Sequence, residues 1–372
     1  MQFTDVSRAM TKEIPAEVKK RHGIFLTPKS IRDRVWSLLP SAPSRILEPS
    51  CGTGEFILDA LERFPGAVVH GVELNERLAH SIEPHERLEV THGDFLEHVG
   101  TYDLIVGNPP YAVTSIKRPE CMRGRGNLFC IFLWKCLSSH LDPDGILAFV
   151  LPTSFLNSNY YEPCRAYLKA NHTVLALEPA VGKYLETTQD TMILVVQNRR
   201  SVSPYFFGTN LSYHAAELAE LCATTRTLAS LGFEVRTGSV VWNERKDELS
   251  DCPEDTFLCY AHNIVDGRVQ PMPQRGEKKQ YIKRPGTPGP AIFVVRGYGN
   301  SLTLQYALCE LPNVIAENHV NVVRPTTAEA AERIPLVLRS LADERSKRYF
   351  SYVCGNGALS ASELAAFPVF EK

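Results

Sequence analysis

The segment DLIVGNPPY at 103–111 carries the clearest chemical signal in the chain. An apolar run of strand length ends at Gly107 and delivers Asn108, Pro109, Pro110 and Tyr111 at what should be a sheet edge. Consecutive prolines fix φ and remove two backbone donors. An asparagine before proline is pushed out of the helical region. What remains are acceptors: the side-chain oxygen of Asn108 and the carbonyls of Asn108 and Pro109. The lone pair of an aromatic amino group is delocalised into its ring. Two acceptors gripping its N–H bonds favour a tetrahedral nitrogen and localise that pair. Tyr111 can stack on the ring being held. If the attacked methyl group is already activated, positioning supplies much of the rate, with no call for a metal or a covalent nucleophile. The plainer reading, a proline-rich turn with a core tyrosine, gives no reason for a strand to end in acceptors alone.

A second constellation supplies a ligand loop. Residues 46–56 read ILEPSCGTGEF, an apolar strand running into Gly52 and Gly54 and then into a helix. Small residues there let the backbone approach a ligand closely. A dinucleotide fingerprint would place a third glycine where Ile57 stands. Glu48 would also repel a pyrophosphate, whereas it would attract S-adenosylmethionine, which carries an ammonium, a sulfonium and no phosphate. Glu73 ends the next strand and can accept both ribose hydroxyls. Asp94 in HGDFLE can accept the adenine amino group, with Phe95 against the ring. Each acid alone reads as a solvated carboxylate or a helix cap. The ordered set at successive strand ends does not, because open α/β sheets bind ligands at those ends.

The elements that must position these residues follow from pattern. Residues 27–39 predict a helix with Thr27 as cap, Pro28 in the first turn and an apolar stripe of Ile31, Val35, Leu38 and Leu39. Strands are predicted at 45–48, 67–73, in LEVTHGD before Asp94, at 102–106, 146–151 and 191–197. Helices are predicted at 55–64 and 127–141. Alternation of this kind predicts an α/β fold with a Rossmann-like, doubly wound sheet. Beyond about residue 205 the pattern changes to one helical region at 212–232, then short β-like pieces and Pro/Gly clusters. The expected organisation is an N-terminal extension (1–21), a catalytic domain (22–210), a helical linker (211–234) and a C-terminal α+β domain (235–372).

Composition sets few limits. The 372 residues, 44% of them apolar and 22% charged, suit a globular protein of two domains. No apolar run is long enough to span a membrane, and the charged N-terminus does not read as a signal peptide. Ten cysteines without a C-x-x-C pair predict free thiols in a reducing cytoplasm. A net charge of −2 neither supports nor excludes a nucleic-acid partner.

These motifs resemble the amino-methylating methyltransferases, most closely the gamma group of adenine-specific DNA methyltransferases from type II restriction–modification systems. There an F-x-TP segment, matched by Gly23-Ile24-Phe25-Leu26-Thr27-Pro28, precedes the glycine loop. The strand acid, G-D-F and N-P-P-Y follow in the same order. The likeness is motif by motif over 22–197 and by layout beyond. It implies S-adenosylmethionine held by Phe25, Thr27, Glu48, Pro49, Cys51, Gly52, Gly54, Phe56, Glu73, Leu74, Asp94, Phe95 and Asn108. Catalysis would fall to Asn108, Pro109, Pro110 and Tyr111, acting on an adenine flipped out of double-stranded DNA. Tyr184 is the candidate for a second aromatic on the base, where phenylalanine is usual. The C-terminal domain would be the target recognition domain, and a cognate restriction endonuclease is implied as functional partner.

Phosphate contacts would fall to the basic stretch 268–299, with Lys278, Lys279, Lys283, Arg284 and Arg296 as DNA-binding candidates and Arg268, Arg275, Tyr281 and Tyr298 beside them. Arg339, Arg345, Lys347 and Arg348 follow on an expected helix. Gly238, Trp242 and Asn243 and the tail NGALSASELAAFPVF also match the family. One asymmetric recognition domain predicts a monomer. Rival readings are a ribosomal RNA base methyltransferase and a catalytically silent binding subunit. The second would be expected to lack Asn108 or Tyr111. A glutamine methyltransferase would carry its extra domain before the glycine loop, where there is no room for one.

Overall fold

The computed structural model describes the chain apart from residues 1–2, 16, 18, 20–24, 125, 183, 185–189, 273–275, 298–303, 354–357 and 372. Gly23, Ile24, Arg275, Tyr298 and the Asn356-Gly357 start of the tail motif lie outside the described residues. The chain folds as two compact units, Met1–Ala216 and Glu217–Lys372.

The first unit is built on a seven-stranded sheet. Its strands are β1 (Arg45–Glu48), β2 (Val68–Glu73), β3 (Leu88–His92), β4 (Tyr102–Gly107), β5 (Leu141–Pro152), β6 (Thr173–Pro179) and β7 (Thr191–Gln197). Their order in space is β3-β2-β1-β4-β5-β7-β6. The first five run parallel, and β7 is antiparallel to both neighbours. Strands buried on both faces need apolar residues at every position. In β5, Ile146, Ala148 and Val150 face one core while Leu147, Phe149 and Leu151 face the other.

The first core is closed by α2 (Lys29–Ser37) and α3 (Glu55–Arg63), which contribute Ile31, Val35, Trp36, Phe56, Ile57 and Ala60. The other is closed by α4 (Leu128–Lys135) and α5 (Glu162–Asn171) through Phe129, Cys130, Leu133, Cys164 and Leu168. Gly71 makes the α3 contact possible, since a Cβ there would lie 2.5 Å from Ile57 Cδ1.

Several local expectations change. Pro28, not Thr27, is the N-cap of α2, and no side chain caps it; the Thr27 hydroxyl is spent on Asn108. The helix expected over 127–141 is α-helical only to Lys135 and ends in a π turn, Cys136–His140. β6 went unread because Glu178 and Pro179 close it with polar and turn-forming types. The N-terminal residues are no appendage: α1 (Asp5–Glu13) belongs to the first unit, with Phe3 4% and Ser7 0% exposed.

The expected linker helix over 211–234 also does not form. A helix covers only Ala215–Cys222; Arg226–Thr227 pairs with Pro368–Val369, and Phe233–Thr237 becomes an edge strand. That strand opens a six-stranded sheet in the second unit, in the order 233–237, 320–325, 291–295, 306–309, 268–269, 264–265. A four-stranded sheet joins 249–250, 281–282, 256–259 and 314–316. Many of these strands have two residues, too few for an alternation to register. Gly238 acquires a role here: a Cβ would lie 2.1 Å from the Glu317 carbonyl oxygen, so only glycine permits the crossing. The single helix expected through Arg339 and Arg348 is two, Ile334–Ala342 and Glu344–Val353, broken at Asp343.

Candidate active site

The carboxyl ends of β1 to β4 open onto one cavity of about 410 Å³. β1 brings Glu48, then Pro49, Cys51 and Gly52 of the loop. Gly52 and Gly54 take φ of +54° and +82°, the left-handed region that glycine enters without strain. Gly54 then caps α3 without lining the cavity, while Phe56 of its first turn does line it. β2 brings Glu73 and the exposed Leu74. Asp94 and Phe95 follow β3, Asn108 and Pro110 follow β4, and Phe25 and Thr27 close the wall ahead of α2.

Glu73 is pinned from both sides: Oε2 accepts the Gly52 amide at 2.8 Å and Oε1 the Asn75 amide at 2.8 Å. Asp94 Oδ1 accepts the Leu96 amide at 2.8 Å, and Lys135 Nζ donates to the carbonyls of Leu96 and His98 at 2.6 and 3.0 Å, which fixes that loop. The Phe95 ring is 2% exposed and packs against Phe132 and His140 at 4.8 and 5.3 Å. It lines the cavity as a ring held firmly by the core behind it.

Glu48 is 4% exposed, and its Oε2 has no hydrogen-bond partner among the described residues. Burial pushes its carboxyl well above the usual range; Arg32 opposes the shift and Glu73 adds to it. Burial likewise raises the Cys51 thiol, leaving it an inert wall group. Among the described residues, the cavity lining includes the carboxylates of Glu48, Glu55, Glu73 and Asp94 and no Lys, Arg or His. Such a wall repels phosphates and favours a cation. The orphaned, buried Glu48 oxygen and the acid-only lining fit S-adenosylmethionine, with Glu48 facing positive charge and Glu73 able to accept hydroxyls as well as the two amides.

At the catalytic corner, Asn108 Nδ2 donates to Thr27 Oγ1 at 3.0 Å, and Asn108 Oδ1 is buried with no partner among the described residues. A buried unpaired acceptor costs about 1–3 kcal/mol, so it calls for an explanation. The Asn108 carbonyl accepts the Ser50 hydroxyl at 3.5 Å, a long contact. Pro109 is buried and does not line the cavity. Tyr111 is half-buried with its ring edge-on to Phe129 at 6.1 Å, and its hydroxyl donates to the Val150 carbonyl at 3.0 Å. Tyr184 is half-buried, its hydroxyl 3.0 Å from Thr191 Oγ1 and its own pKa raised to about 12 by burial. Neither tyrosine lines the cavity, and burial pushes the Tyr111 hydroxyl well above its usual range.

Some contributors were not visible in the motifs. Ile14, after α1, lines the cavity, as do Thr53, Glu55, Thr114, Ile116 and Leu128. Arg32, 3% exposed, ties the wall together: it pairs with Glu55 at 2.9 Å and Asp59 at 2.8 Å and donates to the Thr27 carbonyl at 2.7 Å. Thr4 donates its backbone N–H to Glu55 Oε1 at 3.0 Å, and Ser7 Oγ lies 2.7 Å from Thr53 Oγ1, docking α1 on the loop. No signal in the sequence links residues so far apart.

In the second unit most of the predicted cations are already engaged. Lys279 pairs with Asp251 and Arg284 with Glu248, at 2.7 and 2.9 Å. Arg296 donates to the carbonyls of Asn318 and Leu359, bracing its own fold. Lys278 lies over the rings of Trp242 and Tyr260 at 5.3 and 4.9 Å, which gives Trp242 a role. Arg345 and Lys347 pair with Asp343 and Glu344. Lys283 is exposed and makes no ion pair among the described residues, and Arg268, Arg339 and Arg348 are exposed.

Comparison with known proteins agrees with this geometry. Residues 69–178 match the Eco57I restriction-modification methylase family model. The chain is 29% identical to the type II methyltransferase M.CvrRI of Paramecium bursaria Chlorella virus XZ-6E, over 99% of both chains. It is 28% identical to the modification methylase CviBIII of Paramecium bursaria Chlorella virus NC1A, again over 99% of both. The tRNA1(Val) (adenine(37)-N6)-methyltransferase of Pedobacter heparinus is 34% identical over 122 residues, 29% of this chain and 52% of that one. Alongside the parallel sheet, its one antiparallel strand and the acid-lined cavity at the strand ends, the chain is similar over its full length to methyltransferases of the restriction–modification type.

Proposed function

We propose that this protein methylates the N6 amino group of adenine at a specific site in double-stranded DNA, with S-adenosylmethionine as donor. The single observation that carries the reading is the Asn108 carboxamide, tied down through its nitrogen and left with a buried, unpaired oxygen. That oxygen accepts one N–H of the target amino group, and the donor-free turn beside it offers backbone carbonyls for the other. The bound cofactor supplies an electrophilic methyl group on a sulfonium sulfur. Tyr111, locked by its hydroxyl, offers a ring at fixed position to the face of the base. The base must leave the helix to reach this corner, at a cost of a few kcal/mol. Lys283 and the other exposed cations of the second unit offset that cost through phosphate contacts.

The full-length likeness to type II and modification methylases supports DNA as substrate and protection from a cognate endonuclease as role. The partial likeness to an adenine-N6 tRNA enzyme supports adenine, but it leaves more than two thirds of the chain unaccounted for, which disfavours RNA. The test is incubation with labelled cofactor and DNA of varied sequence, then mass spectrometry of the nucleosides and mapping of modified positions. N6-methyladenine at one short sequence is expected; methylcytosine, or label only in RNA, would overturn the reading.

A further inference from the structure

We infer, on the reading of the cavity as an S-adenosylmethionine site, that the segment Phe3–Ile14 is a strap over one side of it. Ile14 covers the bound ligand, and the ligand exchanges when the Ile14 end lifts. α1 ties together two elements that build the cavity. At its start the Thr4 backbone N–H donates to Glu55 Oε1 at 3.0 Å, and Ser7 Oγ lies 2.7 Å from Thr53 Oγ1, a hydrogen bond whichever hydroxyl carries the proton. At its far end Glu13 Oε2 accepts Arg77 Nη2 at 2.8 Å, and Arg77 belongs to the short helix Glu76–Ala79 that follows β2. α1 therefore runs from the glycine loop to the element just past Glu73. Ile14, the residue after α1, lines the cavity together with Leu74, Asn75 and Leu78.

The two ends are held unequally. Phe3 and Ser7 are buried, so the first anchor is packed and its hydrogen bonds are shielded from water. The latch is an exposed ion pair, with the Glu13 and Arg77 side chains 56% and 69% accessible, and such pairs contribute little. Segments held by few buried contacts open before the rest of a fold. The Ile14 end is therefore the part that opens, with the buried anchor as pivot. The two residues of that end act differently. Ile14 meets the cavity, so trimming it weakens the bound state. Glu13 does not line the cavity, so loosening the latch favours opening equally with and without ligand. A change that does not discriminate between the two states alters rates and leaves affinity alone.

The test is stopped-flow kinetics of S-adenosylhomocysteine binding to the full-length protein, with melting temperatures taken with and without that ligand. The variants are Ile14→Ala, Ile14→Met and Glu13→Gln. Ile14→Ala is expected to raise koff about 5–10-fold and to shrink the ligand-induced gain in melting temperature. Ile14→Met, which restores apolar cover, should return koff to within about twofold of wild type. Glu13→Gln should raise kon and koff together, each about two- to threefold, with Kd unchanged. Wild-type koff in Ile14→Ala, or a Glu13→Gln variant in which neither rate moves, would overturn the inference. If the wild type binds no S-adenosylhomocysteine, the cofactor reading fails instead, and the same assay tells the two failures apart.

Discussion

Glu73 Oε2 and the Gly52 amide, 2.8 Å apart, couple the end of the second strand to the glycine loop of the first. One carboxylate thus shapes the loop and remains able to accept ligand hydroxyls. Hydrogen bonds to charged groups are worth about 1.5–3 kcal/mol. Glu73→Ala should therefore weaken cofactor binding about 10–100-fold, with Glu73→Gln between the two. Titration calorimetry checks this, and unchanged affinity in the alanine variant would contradict it.

Glu48 predicts a pH dependence with a definite sign. Its carboxyl sits well above its unfolded value through burial. It therefore stabilises the free protein below the unfolded pKa, and that contribution is lost as pH rises through the folded pKa. A cation placed against Glu48 favours the ionised form. Cofactor affinity should rise with pH across this window, with proton release on binding, and the cofactor-induced gain in melting temperature should grow in the same direction. In Glu48→Gln both trends should flatten. A pH-independent Kd in the wild type would refute the assignment.

Arg32 is paired with two buried acids, so removing it strands their charge. Breaking a buried pair from one side costs about 3–5 kcal/mol. Arg32→Met should lower stability by that order in denaturant unfolding, whether or not cofactor is present.

Two cations predicted together should behave differently. Lys283 is exposed and makes no ion pair among the described residues; Lys283→Ala should lower the slope of log affinity against log salt by about one. Arg296 braces its own unit, so Arg296→Ala should chiefly lower the melting temperature. The reverse pattern would mean that the DNA-facing surface lies elsewhere.

The site was legible where chemistry and sheet topology coincide. Glu48, Glu73, Asp94 and Asn108 follow successive strands, and each strand is marked by its apolar run. Their convergence follows from the parallel order alone. The bracing groups were not legible. Thr4, Ser7 and Arg32 are ordinary residue types whose partners on the glycine loop and α3 lie 23 to 51 positions away. Thr27 carried a local signal for a helix cap that a distant amide overrides. The linker failed differently: the apolar residues of 212–232 suit a helix, but pairing of Arg226–Thr227 with the C-terminal strand interrupts it. In the second unit two cations of the 268–299 stretch, Lys279 and Arg284, are paired with Asp251 and Glu248, acids outside the stretch being counted.

The single-turnover rate of Asn108→Ala on cognate DNA, measured with cofactor saturating, tests the acceptor corner most directly. The account predicts a fall of at least about 10²-fold, with the Kd for S-adenosylhomocysteine little changed. A variant that transfers methyl groups at near wild-type rate would contradict it.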